Sequence, residues 1–178
     1  MEGSRRASMR FRSPAAPDTR AAGRDLAAAT ASEGAVVALV GPLGAGKTVF
    51  AKGVAEGLGL SPHALASPTF TIAQELVAPG GLRLVHADLF RIESAAELEA
   101  AGWLDWLAPG TLLLVEWADR FPEELPADRL EVRLAFDPSG EPVRAIEARA
   151  LGPRSGALLG RWRARREAAG VPLTEPPP

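Results

Sequence analysis

The sequence predicts an α/β fold of three layers, with a mixed, mostly parallel central sheet that ends in a C-terminal antiparallel hairpin. Three observations carry that prediction. The short β-branched run "AVVALV", residues 35–40, passes through a glycine-rich turn into a segment where Phe50, Val54 and Leu58 recur four residues apart on one helix face. "TLLLVE", residues 111–116, holds four apolar residues with nothing polar between them, as a strand buried on both faces requires. "RLEVRLAF", residues 129–136, instead alternates Leu130, Val132, Leu134 and Phe136 with polar neighbours, the pattern of a half-exposed antiparallel strand.

The remaining elements follow in order. Residues 1–17, rich in Ser, Pro and Arg, read as a flexible N-terminal extension. A helix over "TRAAGRDLAAATA" is capped by Asp18 or Thr19 and broken by Gly34. The helix bearing Phe50 stops at Gly57, Gly59 and Pro62. "TFTIAQELV" and "LRLVHAD" read as two strands joined by the turn "APGG". Ser94 with Glu97 forms a capping box for a helix to about Ala101, ended by Gly102. After "DPSGEP" comes a last strand near Val143 to Ala148. The predicted organisation is a domain over 18–150, a C-terminal helix over 151–170 and a disordered tail, "VPLTEPPP", over 171–178.

Composition excludes several classes of function. There is no cysteine, so disulfides, thiolate catalysis and Cys-based zinc sites are ruled out. No apolar stretch approaches the length that spans a bilayer, and the basic N-terminus lacks the apolar segment of a secretory signal. The expectation is a cytoplasmic protein with no membrane contact. Charge is uneven. Residues 1–12 carry four Arg against one Glu and residues 149–178 six Arg against two Glu, so the body between them is acidic although the net charge is −2. That body offers little to a phosphate backbone. Only two basic residues are lysines, Lys47 and Lys52.

Lys47 stands in "GPLGAGKT", residues 41–48, directly after the first buried strand and at the head of a helix. The pattern is that of a P-loop in the context the motif demands. Gly44 and Gly46 allow backbone angles closed to other residues, so the N–H groups of Leu43, Gly44, Ala45 and Gly46 turn inward around a phosphate. The helix N-terminus faces the same anion. Lys47 supplies a compact ammonium to the β- and γ-phosphates, and Thr48 offers a hydroxyl to Mg²⁺.

In such sheets ligands sit beyond the C-terminal strand ends, where Asp88 and Glu116 both emerge. One can hold the metal's water shell while the other positions or accepts a proton from water, and the residues alone do not assign which does which. Trp117, next in the chain, can stack near the nucleotide, cover the site, dock a partner or pack in the core. Thr69, in "SPTF" before the second strand pair, is a candidate switch-loop residue or part of a simple Ser-Pro turn. His86 shares a strand face with Asp88 and can bond it or pack; Arg91 can stabilise transferring charge or pair with Glu93. Guanine readers use an Asn-Lys-x-Asp loop and this chain has no asparagine, so ATP is the expected nucleotide.

"GPLGAGKT", "SPTFTI", "HADLFRI" and "LVEW", in this order and spacing, resemble the TsaE family over about residues 17–150. The resemblance implies a P-loop fold that binds ATP or ADP with Mg²⁺ and supports formation of threonylcarbamoyladenosine in tRNA. It implies partners, a threonylcarbamoyl transferase subunit and its non-catalytic paralogue, with hydrolysis resetting that complex and tRNA engaged only indirectly. Residue by residue, Thr48 and Glu116 would bind Mg²⁺ and Asp88 would serve in hydrolysis or beside the metal. Thr69 would belong to the switch-like loop, Trp117 would stand by the nucleotide, and Thr19 matches a threonine that approaches it. Pro42 departs from the family's usual acid or amide, and Phe70 and Phe90 from its usual tyrosines. A P-loop small-molecule kinase and a nucleotide-gated protein-binding module are the alternative readings.

Overall fold

The computed structural model describes residues 7–61, 63–65 and 72–175. Along the chain run β1 (Ser8–Ser13), α1 (Ala16–Ala29), β2 (Gly34–Val40), α2 (Lys47–Gly57), β3 (Ala73–Val77), β4 (Arg83–Asp88), α3 (Ala95–Ala100), α4 (Trp103–Trp106), β5 (Thr111–Glu116), β6 (Leu130–Phe136), β7 (Arg144–Ala150) and α5 (Pro153–Ala168). Seven strands form one sheet in the order β1-β7-β6-β2-β5-β4-β3. The central pairings β6–β2, β2–β5 and β5–β4 are parallel, and the outer ones are antiparallel. Every residue of β5 is buried, as its unbroken apolar pattern demands.

Two apolar layers sandwich the sheet unequally. Under α1, α2 and α5 the core runs from Met9 and Phe11 on β1 across to Leu84 on β4. On the opposite face Trp103, Trp106, Leu98 and Leu125 cover only Ala38 and Val40, Leu113 and Val115, and Val85 and Ala87 of the central strands. Helices α1 and α2 touch through glycines. A methyl at Gly23 would lie 2.2 Å from the Phe50 carbonyl oxygen, and one at Gly53 would lie 2.0 Å from that of Arg20. This close approach sets the start of α1 beside the start of α2.

Four expectations need correction. Part of the segment assigned to the flexible extension, Ser8–Ser13, is a strand paired antiparallel with β7, with Met9, Phe11 and Ser13 inward and its arginines outward. That period-2 signal is short and masked by arginine-rich composition. Helix α1 starts at Ala16, with Pro17 in its first turn and Asp18 accepting from the Ala15 N–H at 3.0 Å, so Asp18 reaches back over the cap rather than being it. Thr19 is an interior residue, 1% exposed. The described part of the C-terminal tail is held: Val171 and Leu173 pack on the core, and Thr174 exchanges backbone bonds with Arg10 at 2.7 and 2.8 Å, covering the open edge of β1.

Two further details differ. Strand β6 is antiparallel to β7 as expected but parallel to β2, and Phe136 at its end is 47% exposed. Gly102, expected as a stop, adopts φ 105° and caps the additional short helix α4.

Candidate functional site

Strand β2 ends in the glycine-rich loop, and α2 begins at Lys47. Gly44 and Gly46 have φ of 78° and 102°, the left-handed backbone that lets consecutive N–H groups converge. Leu43, at the loop tip, is 81% exposed, whereas Ala45 is buried. Thr19 lies against the loop from behind. Its methyl would sit 3.6 Å from a Cβ placed on Gly46, and its hydroxyl shares a 2.6 Å hydrogen bond with Ser13.

Lys47 is buried and its ammonium donates to the loop's own carbonyls, Gly41 O at 2.7 Å and Pro42 O at 3.0 Å. It also lies 4.1 Å from the centre of the Trp117 ring. Burial lowers its pKa, against the opposing pull of Glu116, Asp88 and Asp119. Trp117 has φ of 57°, uncommon for any residue with a side chain. This turn ends β5, and the indole covers Lys47 while stacking against Phe90 with ring centres 5.0 Å apart. An indole after a buried strand is thereby accounted for: it roofs the loop's only lysine.

Parallel pairing puts Asp88 and Glu116 on facing positions of β4 and β5. Glu116, 3% exposed, accepts from the Thr48 hydroxyl at 2.9 and 3.2 Å and bonds His86 Nε2 at 2.8 Å. Asp88 accepts from the Phe90 N–H at 2.9 Å. Burial raises the Asp88 pKa; the Phe90 bond opposes this and Glu116 adds to it. The His86 bond to Glu116 was not anticipated. Leu84, His86 and Asp88 share one face of β4, but His86 reaches diagonally to the tip of the neighbouring strand rather than along its own.

The structure thus brings Thr19, Leu43, Gly44, Ala45, Gly46, Lys47, Thr48, Asp88, Glu116 and Trp117 to one end of the sheet. Thr69 lies outside the described residues. Three neighbours went unread in the sequence. Asp119 follows the strand tip by three positions, close enough to act on Lys47. Arg120 donates to the Leu89 carbonyl at 2.9 Å and to that of Phe90, tying down the loop after β4. Arg144 stacks 4.7 Å from the Phe136 ring and donates to Gly44 O at 3.4 Å. Only Asp119 had a local signal, an acid just past a buried strand; the arginines arrive from distant segments.

A family model described as threonylcarbamoyl adenosine biosynthesis protein TsaE matches residues 13–145. The Bacillus subtilis tRNA threonylcarbamoyladenosine biosynthesis protein TsaE is 41% identical over 138 residues, covering 78% of this chain and 84% of its own. The Streptomyces coelicolor protein of the same name is 38% identical, covering 68% and 83%. The crystal structure of Bacillus subtilis YdiB superposes with a TM-score of 0.70 at 33% identity, covering 92% of this chain and 99% of that one. A P-loop sheet with an aromatic roof over its lysine, and relatives so similar over most of their length, lead to one conclusion: the chain belongs to the TsaE family.

Proposed function

We propose that this chain is a Mg²⁺-dependent ATPase that supports formation of the threonylcarbamoyl group on tRNA adenosine. In this reading it binds a threonylcarbamoyl transferase subunit and its non-catalytic paralogue and resets them by hydrolysis. The observation that carries the reading is the meeting of Thr48, Glu116 and Asp88 beside the phosphate loop, in a chain of this family. The donor set suits the ion. Thr48 and Glu116 are hard oxygen ligands, the kind Mg²⁺ prefers, with the Asp88 carboxylate beside them. Among the described residues no group of three or more Asp, Glu or His forms a metal cage. That fits a cation completed by nucleotide phosphates rather than by protein alone. When bound, Mg²⁺ neutralises charge on the phosphates.

The chain's own residues supply the rest. Lys47 exchanges its loop carbonyls for phosphate oxygens. Asp88, with a raised pKa from burial, accepts a proton from water more readily than an exposed carboxylate does. The segment between Glu93 and Gly110 holds α3 and α4 and contains no lysine or arginine, so it lacks the cationic lid of a small-molecule kinase.

The test is steady-state phosphate release, with and without the two partner proteins, alongside calorimetry of ADP binding. Asp88→Ala and Glu116→Ala are expected to lower hydrolysis by about 10²-fold or more while ADP affinity measured without the cation, in EDTA, changes little. Lys47→Ala, which removes a charge-assisted bond worth about 1.5–3 kcal/mol, is expected to weaken triphosphate binding roughly 10- to 150-fold. Wild-type hydrolysis in both carboxylate variants, or phosphate release that partners leave unchanged, would overturn the reading.

A further inference from the structure

Histidine is scarce in this chain, with two in 178 residues, and one of them is fully buried on β4, next to the edge strand β3. His86 lies on β4 with Leu114 of β5 on one side and Gln74 of β3 on the other. Its Nε2 is 2.8 Å from Glu116 Oε1, the oxygen that also takes the shorter of the Thr48 bonds. A carboxylate only accepts, so Nε2 carries a proton, and in the neutral ring Nδ1 is left with a lone pair. That Nδ1 is buried and has no hydrogen-bond partner. A second orphan lies beside it in register: Gln74 Oε1 is also buried and unpartnered, and Gln74 is the cross-strand partner of His86.

Two unsatisfied buried atoms on facing residues signal a bond waiting on one amide orientation. A turn about the Gln74 side-chain torsions can present its NH₂ to Nδ1. Directly opposed side chains of an antiparallel pair lie within reach of a glutamine. In that orientation Gln74 donates to His86 Nδ1, and His86 Nε2 donates to Glu116. The buried Nδ1 lone pair, which would otherwise cost about 1–3 kcal/mol, is then satisfied.

We propose that Gln74 and His86 form a positioning relay for Glu116. The relay locks His86 in the Nε2-protonated form and ties down Glu116 Oε1, so that Glu116 Oε2, 3.2 Å from the Thr48 hydroxyl, faces the cation site there. Outer partners of this kind orient a ligating group, and their loss typically costs about 10- to 100-fold in metal affinity or activity. The inference rests on the proposed Mg²⁺-nucleotide site.

The test uses the full chain and three readouts. Calorimetry of ADP with excess Mg²⁺ and with EDTA gives the gain in affinity due to the cation. His86→Leu is expected to keep the EDTA affinity within about 2-fold and to lose about 10-fold or more of the Mg²⁺ gain. His86→Gln, whose amide can still donate to Glu116, is expected to retain the gain within about 3-fold, and Gln74→Met to lose part of it. Nitrogen-15 spectra of the nucleotide-free wild-type protein, with His63→Ala to assign the two rings, are expected to show the Nε2-protonated form. A full Mg²⁺ gain in His86→Leu, equal loss in His86→Leu and His86→Gln, or an Nδ1-protonated ring would each overturn the relay. Should His86→Leu not fold, the spectrum and the Gln74→Met and His86→Gln comparison still decide. A wild-type protein that binds ADP with no Mg²⁺ gain at all would instead refute the proposed cation site, and the ring tautomer would still judge the relay.

Discussion

Replacing Trp162 by alanine tests whether α5 is part of the nucleotide-binding body or an appendage to it. The indole is completely buried. Its N–H donates to the Ala22 carbonyl of α1 at 3.1 Å, and its ring meets Phe50 of α2 edge-on at 5.8 Å and Phe11 of β1 at 6.0 Å. One side chain therefore joins four elements. Truncation removes a large apolar surface from the core, leaves a cavity and removes the bond to Ala22. Substitutions of this kind cost about 3–5 kcal/mol. The edge-on ring pairs, about 0.5–1.5 kcal/mol each, place the expected loss in the upper half of that range. Against a total stability of about 5–15 kcal/mol, this is a large fraction. In a chain of this size each kcal/mol moves the thermal midpoint by about 2–4 °C, so a fall of about 8–20 °C is expected. Urea denaturation followed by circular dichroism gives the measurement, with a lower midpoint and an unchanged slope. A loss below about 1 kcal/mol would refute the claim that α5 completes the core, because no fully buried indole with these contacts could be so dispensable.

Two further predictions concern carboxylates and pH. Burial raises the Asp88 pKa, so the stability linked to its protonated form is present at low pH and lost as pH rises through the folded value. Asp88→Asn is accordingly expected to raise the thermal midpoint of the nucleotide-free protein at pH 7–8 while abolishing hydrolysis. An unchanged or lower midpoint at that pH would contradict the assignment of burial as the dominant cause. Asp137 behaves oppositely. The Ser139 hydroxyl and N–H, then Arg12, hold its pKa below the ordinary value, so its contribution is present above about pH 4 and is lost as pH falls through the folded value. Asp137→Asn should flatten the acid limb of a midpoint-against-pH curve, and an unaltered limb would count against it.

The phosphate loop, both strand-tip acids and the sheet's central strands were legible because each is written locally. A glycine-rich turn between a buried strand and a helix is a contiguous signal, and so is a fully apolar strand that ends on an acid. Family resemblance then extended the reading to Thr19 and Trp117, which motif chemistry alone would have left ambiguous. What the chain could not announce is whatever depends on register between distant segments. Strand β1 is visible only once β7 offers an edge, since six residues rich in arginine look like a solvated tail until Met9 and Phe11 find the α5 face. His86 pointed toward Asp88 by strand periodicity. Parallel pairing of β4 with β5 brought Glu116 nearer, because facing residues across a ladder compete with neighbours along a strand. The same holds for Gln74, one polar residue in a strand whose meaning appears only opposite His86. Likewise, nothing local to α5 shows that Arg161, Arg163 and Arg166 bond to Ala29, Ser8 and Asp25. Local sequence determines which backbone a segment prefers and which groups it carries. Only the tertiary fold decides which of those groups meet, because hydrogen bonds and burial act between atoms close in space, however far apart they lie along the chain.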